Sequence, residues 1–180
     1  LSLFEPTVVA TWDGQEGNVF TKAEIDDIEG VNKHDLHPQV LGDFLSNHIA
    51  KGGKILGHNI VSFDLPVIRE SMDCWAAGDI LSKKDSIIDT KILFSKSSLS
   101  YGNLQSSLND LAKHNLNATK LMKSEDAPTA WRDGKYQEVV EYCLKDTQLT
   151  YDLYVLGKEN SMLKSRCVDT GEIKEVILEW

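Results

Sequence analysis

The spacing of apolar residues in the first part of the chain predicts a hairpin and then a helix. Positions 7–13 are rich in β-branched and aromatic residues, and turn-forming residues separate them from 19–21, which predicts a β-hairpin. Thr21 and Glu24 have the spacing of a capping box, and they predict a short helix over 23–28.

The middle of the chain repeats a helix–strand pattern. Apolar residues at helical spacing follow Pro38 and end at a glycine pair, and 54–58 is a short apolar stretch typical of a buried strand. A helix opened by a proline is then predicted over 66–77. A second short strand is predicted over 86–89, followed by a helical 90–94.

One long helical pattern dominates the last part of the chain. Asn103 is expected to cap a helix, and the polar stretch 115–133 is expected to be irregular. From 136 to 160 the apolar residues recur on one helical stripe, which predicts a long helix. Positions 163–180 alternate around a turn and predict a second hairpin.

Together these elements predict an α/β domain, with helices packed against a sheet, over 1–160 and a C-terminal β-hairpin appendage over 161–180. The length of 180 residues and the hydrophobic fraction of 41% suit a folded globular unit and exclude disorder as the main state. No apolar run is long enough for a transmembrane helix and no secretory signal is visible, so no membrane partner is expected.

Charge and cysteine content narrow the function classes. The formal net charge of −9 excludes an electrostatic clamp that coats nucleic acid, but it is compatible with an enzyme that acts on phosphodiesters through carboxylate-bound metal ions. The three cysteines are an odd number at wide spacing. This argues against a disulfide framework and predicts a reducing, cytoplasmic location.

The first chemically informative segment is the junction 57–66 between a predicted strand and a predicted helix. It consists of Gly-His-Asn-Ile-Val-Ser-Phe-Asp-Leu-Pro. Side chains at such junctions lie at the rim of a sheet, where ligands bind in α/β folds. The simpler alternative is that Asp64 caps the helix and that His58 and Asn59 only form a turn.

The second informative segment is Tyr142-Cys143-Leu144-Lys145-Asp146 on the long helix. Residues four apart share a helix face, so the Tyr142 phenol and the Asp146 carboxylate point the same way. The rest of that face is apolar, and a carboxylate there is costly unless it is paired or binds a cation. The alternative is an edge position at which Asp146 meets solvent or Lys145. Two inward carboxylates and a phenol suit a two-metal phosphoryl-transfer site.

Both segments resemble motifs of the DEDD 3′–5′ exonucleases of the ribonuclease H-like superfamily. Segment 57–66 resembles their second motif, and Tyr142 with Asp146 resembles the third motif in its tyrosine-containing form. Between them, 88–90 resembles a strand that often carries Asp-Thr, and 104–115 resembles the leucine-rich helix that follows. The likeness extends to the proofreading domains of phage-type family A DNA polymerases and to stand-alone exonucleases of this kind.

The resemblance implies a ribonuclease H-like mixed sheet flanked by helices, and a hydrolase acting on the 3′ end of single-stranded DNA or RNA. It implies Asp64 and Asp146 as ligands of two Mg²⁺ or Mn²⁺ ions, and Tyr142 as the group that positions the attacking water. It also implies that Asn59 and Phe63 contact the substrate strand and that His58 supports the substrate-binding loop.

The family's first motif, an Asp-x-Glu on its central first strand, has no counterpart here. Segment 3–5 keeps only a Glu, and 13–16 has the wrong spacing. We therefore expect 7–13 to be the family's second strand, with the first strand lost by truncation or never present in a degenerate member. With half of its carboxylates the chain is expected to be inactive or very weak as a nuclease. The open sheet edge is expected to be covered by residues 1–6, a rearranged strand or a second copy in a homodimer.

Two other interpretations stay open. A non-catalytic nucleic-acid-binding or scaffold domain on the same fold predicts metal-independent binding to single strands. A plain α/β domain with coincidental motifs predicts that Asp64 and Asp146 lie far apart.

Overall fold

The structure is a computed structural model, and it describes residues 5–119 and 121–180. Its described residues form seven β-strands and seven α-helices, an α/β composition as expected. The strands are β1 (Val8–Trp12), β2 (Gly17–Thr21), β3 (Val31–His34), β4 (Ile55–Gly57), β5 (Ile87–Asp89), β6 (Met162–Arg166) and β7 (Ile173–Ile177). The helices are α1 (Pro38–Ala50), α2 (Asp64–Ser71), α3 (Trp75–Ser82), α4 (Thr90–Ser97), α5 (Leu108–Asn115), α6 (Ala127–Arg132) and α7 (Tyr136–Asn160).

The first sheet has the order β1-β2-β3. Strands β1 and β2 are antiparallel, with Val8 opposite Thr21, so the predicted hairpin is confirmed. The Asp13 carboxylate closes its turn, because Oδ1 accepts the backbone N–H groups of Gln15 at 2.9 Å and Glu16 at 2.8 Å. Strand β3 then runs parallel to β2.

The helix predicted over 23–28 is wrong, because this segment between β2 and β3 contains no helical turn. The Thr21 hydroxyl does accept the Ala23 N–H at 3.2 Å, as a capping residue would. The Asp26 N–H, however, binds the side chain of Gln137 on α7 at 3.0 Å. Tertiary hydrogen bonding to α7 has therefore replaced the helical bonds that the local pattern predicted.

A second, separate sheet consists of β4 and β5, which are parallel, with Ile55 opposite Ile87. Both strands and the helix that starts at Pro38 were expected from the sequence, and they are confirmed. The helix predicted over 66–77 is instead two helices, α2 and α3. Asp73 between them takes the left-handed conformation with φ 53°, which interrupts the helical backbone.

Two details of the segment before α7 differ from the expectation. The stretch 115–133 is not wholly irregular, since it contains α6. Asn103 does not cap a helix, because the helix starts later and its cap is Ser107, whose side chain accepts the Asp110 N–H at 3.2 Å. Leu104 instead forms an isolated bridge to the C-terminal hairpin.

The long helix and the second hairpin are confirmed. Helix α7 has 25 residues, and β6 and β7 pair antiparallel with Leu163 opposite Val176. These two residues are buried in a cluster with Phe94 and Leu149, so the hairpin covers one end of α7. None of the described helices, α7 included, combines the length and apolar character that a membrane crossing needs.

The two faces of β1 pack against different parts of the domain. Val9 of β1 and Ile55 of β4 both pack on a cluster that includes residues of α1, α2 and α3. On the opposite face, Val8 and Ala10 pack on a cluster that contains Val140 of α7. Helices therefore lie on both sides of the layer that contains β1 and β4.

Candidate active site

All six residues implied by the resemblance lie on the walls of one cavity. The cavity has a volume of about 2470 Å³. Its walls are formed by β1, β4, the junction after β4, the start of α2 and part of α7. The six residues are His58, Asn59, Phe63, Asp64, Tyr142 and Asp146. This volume is larger than the roughly 300–1,000 Å³ that is typical of small-ligand pockets.

The junction after β4 is a tight turn that its sequence makes feasible. A Cβ on Gly57 would lie 2.5 Å from the Cβ of Ile60, so only glycine fits at the end of the strand. Asn59 adopts the left-handed conformation with φ 71°, which asparagine tolerates better than most residues. The Asn59 carbonyl then accepts the Phe63 N–H at 3.1 Å, which leads the chain into α2.

Asp89 holds this junction from the neighbouring strand. Its Oδ1 accepts the Asn59 N–H at 3.0 Å and its Oδ2 accepts the Val61 N–H at 3.1 Å. The same carboxylate caps α4, because Oδ1 also accepts the N–H groups of Lys91 and Ile92. Asp89 is buried, so it acts as a structural anchor for the loop.

His58 links the junction to two other segments. Its Nδ1 lies 2.9 Å from the Thr90 hydroxyl, and its Nε2 lies 2.9 Å from the Ser106 carbonyl oxygen. The Thr90 hydroxyl in turn donates to the Gly57 carbonyl at 3.2 Å. Both ring nitrogens are thus engaged within the protein, which fits the loop-supporting role that the resemblance implies.

Asp64 is the first residue of α2, one position after the cap position. The cap position belongs to Phe63, with no capping hydrogen bond from its side chain. Asp64 is exposed at the cavity wall, and its charge lies where the helix dipole favours an anion. Phe63 has 41% of its surface exposed on the same wall.

Helix α7 supplies the opposite side of the site. Tyr142 is buried, and its hydroxyl lies 2.8 Å from the hydroxyl of Ser124. Asp146 follows one turn later, and it is half-buried at the cavity wall. The Thr150 hydroxyl donates to the Asp146 carbonyl at 2.8 Å. Tyr142 and Asp146 therefore face the cavity from one stripe of α7, with Leu149 buried further along.

The carboxylates of Asp64 and Asp146 do not by themselves make a complete metal centre. Within 5–119 and 121–180, no three His, Cys, Asp or Glu side chains come together as a metal-binding group. Magnesium requires near-octahedral oxygen ligation and gives up its bound waters reluctantly. Asp64 and Asp146 alone are therefore poor ligands for two Mg²⁺ ions.

Two groups that bind site residues were not singled out by the sequence. Ser124, the partner of Tyr142, lies in a polar stretch without periodicity, and nothing in the pattern marks it. The Ser106 carbonyl is a backbone group, which side-chain motifs do not reveal. Asp89, in contrast, lies in the segment 88–90 that the resemblance marks, and its structural role as the cap of α4 agrees with that segment.

No protein-family model matches the chain, and no curated protein or solved structure is significantly similar to it. The fold and the cavity together define an α/β domain with a cleft, and the segments that carry Asp64 and Asp146 border that cleft. Any more particular assignment depends on the geometry of that cleft.

Proposed function

We propose that the chain is a 3′–5′ exonuclease-like domain of the ribonuclease H-like type. It acts on the 3′ end of single-stranded DNA or RNA once its set of carboxylates is complete. The observation that supports the proposal is that Asp64, on a loop–helix junction, and Tyr142 and Asp146, on α7, all line the same cavity. Two divalent cations, Mg²⁺ or Mn²⁺, would supply the activated water and the stabilised leaving oxygen.

The substrate side of the proposal is supported by Phe63 and by the shape of the cavity. An exposed aromatic ring on a cavity wall suits stacking of an unpaired base, which contributes about 1–3 kcal/mol per base. Asn59 lies beside it, on a loop that Asp89 holds rigidly. None of the three cysteines forms a disulfide, and this suits the reducing, cytoplasmic location that we propose.

Each protein residue has a defined part in the proposal. Asp64 and Asp146 hold cations, and the Tyr142 hydroxyl orients a water toward the scissile phosphate. The Ser124 hydroxyl, 2.8 Å away, orients that phenol in turn. Because two carboxylates are too few for a cation pair, we expect these 180 residues to hydrolyse nucleic acid very weakly.

A second candidate is a non-catalytic nucleic-acid-binding or scaffold domain on the same fold. The observation that favours it is the absence, among the described residues, of a group of three metal-binding side chains. This candidate predicts binding of single strands that does not depend on a divalent cation.

Manganese binding distinguishes the two candidates. Titration of the chain with Mn²⁺, followed by electron paramagnetic resonance of the free ion, is compared for Asp64→Asn, Asp146→Asn and the control Asp152→Asn. Asp152 lies on α7 and is exposed, outside the residues that line the cavity, and its variant changes the charge equally. We expect each site variant to weaken Mn²⁺ binding by on the order of tenfold, because one of two charged ligands is lost. The control should bind like the wild type.

Equal Mn²⁺ binding in all three variants would contradict the proposal. A second arm measures binding of a labelled single strand in Mn²⁺ and in a chelator. Tight binding in the chelator that Asp146→Asn does not change would favour the non-catalytic domain. Rapid release of 3′ nucleotides by these 180 residues, abolished in Asp146→Ala, would show that the carboxylates present are sufficient.

A further inference from the structure

A short segment before α5, residues 103–106, lies along one edge of β6 and is called the edge segment below. The Val168 N–H donates to the Asn103 carbonyl at 2.8 Å, and the Gln105 N–H donates to the Arg166 carbonyl at 2.9 Å. The isolated bridge to the C-terminal hairpin lies between these two bonds. The hairpin therefore continues sideways into the edge segment, as it would into a third strand.

One buried side chain reinforces this pairing. Ser165 of β6 has 1% of its surface exposed, and its hydroxyl donates to the Gln105 carbonyl at 2.5 Å. Two consecutive residues of β6, Ser165 and Arg166, thus hold the C=O and the N–H of Gln105. A buried hydroxyl that loses its partner is costly, so this bond is expected to persist. The position of Gln105 therefore follows the position of β6.

A second connection ties the end of α5 to the same strand. The Asn115 side chain accepts the Lys164 N–H at 2.7 Å and donates to the Lys164 carbonyl at 2.8 Å. The amide thereby pairs with the main chain of β6 through both its oxygen and its nitrogen. Between the two connections lies 106–114, of which residues 107–109 line the cavity. Strand β6 thus holds both ends of a piece of the cavity wall.

The Ser106 carbonyl carries this position to the junction after β4. Its oxygen lies 2.9 Å from Nε2 of His58. Because a carbonyl oxygen only accepts, Nε2 carries a proton and donates it, and the bond orients the ring. His58 directly precedes Asn59, whose N–H is held by Asp89. Two hydrogen bonds, joined by the main chain of Ser106, therefore connect Ser165 with His58.

We propose that the C-terminal hairpin is a positioning element of the candidate site. Ser165 is its positioning residue, because it fixes Gln105 and thereby the Ser106 carbonyl that orients His58. This coupling is a property of the hydrogen bonds, and it stands without the exonuclease proposal. Its functional consequence, that the hairpin keeps the junction 57–66 in place for a nucleic-acid strand, rests on the exonuclease proposal.

Three variants isolate the Ser165 hydroxyl. Ser165→Ala removes it, whereas Ser165→Thr keeps a hydroxyl at the same position. The matched control is Ser97→Ala, because the Ser97 hydroxyl also bonds to the C-terminal region. It accepts the Glu179 N–H at 3.3 Å and donates to the Leu93 carbonyl at 3.1 Å. Asn115→Ala cuts the second connection to β6, and it takes the place of Ser165→Ala if that variant does not fold.

The measurement is NMR of the His58 imidazole in isotope-labelled protein, without metal or nucleic acid. In the wild type we expect an Nε2–H signal that exchanges slowly with solvent, because its acceptor is fixed. In Ser165→Ala the exchange of this proton and of the Asn59 amide should be at least about fivefold faster, since one hydrogen bond of the path is lost. Ser165→Thr should restore slow exchange, and Ser97→Ala should behave like the wild type.

Unchanged His58 exchange in Ser165→Ala, or in Asn115→Ala where that variant is used, would overturn the proposal. Equal acceleration in Ser165→Ala and Ser165→Thr would also overturn it, because the hydroxyl would then not set the ring. The same holds for equal acceleration in Ser97→Ala, which would show a general loosening of the C-terminal region.

The functional consequence has its own measurement, which is binding of a labelled single strand in Mn²⁺. We expect Ser165→Ala to bind the strand more weakly than Ser165→Thr. Equal strand binding by variants that differ in His58 exchange would overturn this consequence and leave the coupling in place. Failure of the exonuclease proposal would appear elsewhere, in the Mn²⁺ titration of the Asp64 and Asp146 variants, and the His58 signal would not be affected.

Discussion

Removal of the Asp89 carboxylate is expected to destabilise the protein through the junction 57–66, which carries four of the six candidate site residues. Asp89 is 5% exposed and accepts four backbone N–H groups, two from the junction and two from the first turn of α4. Asp89→Ala leaves all four donors without this acceptor. The variant therefore removes a helix cap and the anchor of the Asn59–Val61 turn in one change.

The size of the loss follows from these two parts. Loss of a helix cap costs about 1 kcal/mol. Each hydrogen bond to a charged acceptor contributes about 1.5–3 kcal/mol when buried, and the half-buried junction donors can recover part of this from water. The expected loss for Asp89→Ala is thus about 2–4 kcal/mol. Against a total stability of about 5–15 kcal/mol for a typical domain, this is a large fraction.

Ser107→Ala is the matched control. Ser107 caps α5, which has eight residues like α4, and its side chain accepts one helical N–H without holding a loop. We expect this variant to cost about 1 kcal/mol. Urea unfolding with linear extrapolation measures both losses, and hydrogen exchange should show faster opening of the Asn59 and Val61 amides only in Asp89→Ala. The reasoning is refuted if Asp89→Ala costs no more than Ser107→Ala.

Two further predictions concern a turn and a glycine. Backbone N–H groups, from Glu16 first and then Gln15, lower the pKa of Asp13 from its ordinary value of 3.8, so this stabilisation is present above that value and is lost as the pH falls through the lower folded pKa. Asp13→Asn keeps an accepting oxygen but cannot ionise. The urea midpoint of the wild type should therefore exceed that of Asp13→Asn by less and less as the pH falls below 3.8. A difference between the two midpoints that does not change with pH would contradict this. Gly57→Ala should cost about 1–3 kcal/mol through overpacking, since its Cβ would lie 2.5 Å from the stiff Cβ of Ile60. Gly78→Ala in α3 is the control, because its Cβ would meet only the flexible Arg69 side chain at 3.2 Å. Equal melting temperatures of the two variants would contradict the prediction, since the junction would then accommodate the added Cβ without cost.

Elements with strong local patterns could be predicted from the sequence. Helix α1 begins at Pro38, because proline loses nothing at the first position of a helix and its ring presets the backbone. The stripe on α7 carries enough apolar residues over 25 positions to determine a helix by periodicity alone. Both hairpins have turn residues between alternating runs, and those signals are local as well.

The elements that failed depend on contacts between distant residues. The capping pair Thr21 and Glu24 predicts a helix, but the Asp26 N–H binds Gln137, which no local pattern reveals. The break between α2 and α3 lies at Asp73, whose backbone is left-handed. The apolar spacing of this stretch predicts one continuous helix and gives no sign of the break. Propensity is a weak prior, and a tertiary hydrogen bond overrode it at the first of these places.

The candidate site shows the same division. His58 and Asp64 were placed correctly at a strand–helix junction, because the strand, the turn and the helix start are all local signals. The long-range partners of the site were not predictable in this way, since Ser124 reaches Tyr142, and the Ser106 carbonyl reaches His58, only through the fold. Resemblance to a motif supplied residue identities, and the structure supplied the cavity that they share.

Charge on the cavity walls decides which of the two functional candidates is physically simpler. Of the described residues, eight carboxylates and six Lys or Arg side chains line the cavity, in a chain whose net charge is −9. Two of those cations, Lys123 and Lys135, already lie 3.9 Å from a glutamate. If these six side chains alone held a single strand, the logarithm of the binding constant would fall with the logarithm of the salt concentration with a slope of at most about 4, since each phosphate contact contributes roughly 0.7. The strand would also have to enter a cleft with more acids than bases. Under the exonuclease proposal, divalent cations held by Asp64 and Asp146 would reverse that sign locally, and nucleic-acid binding would then depend on metal.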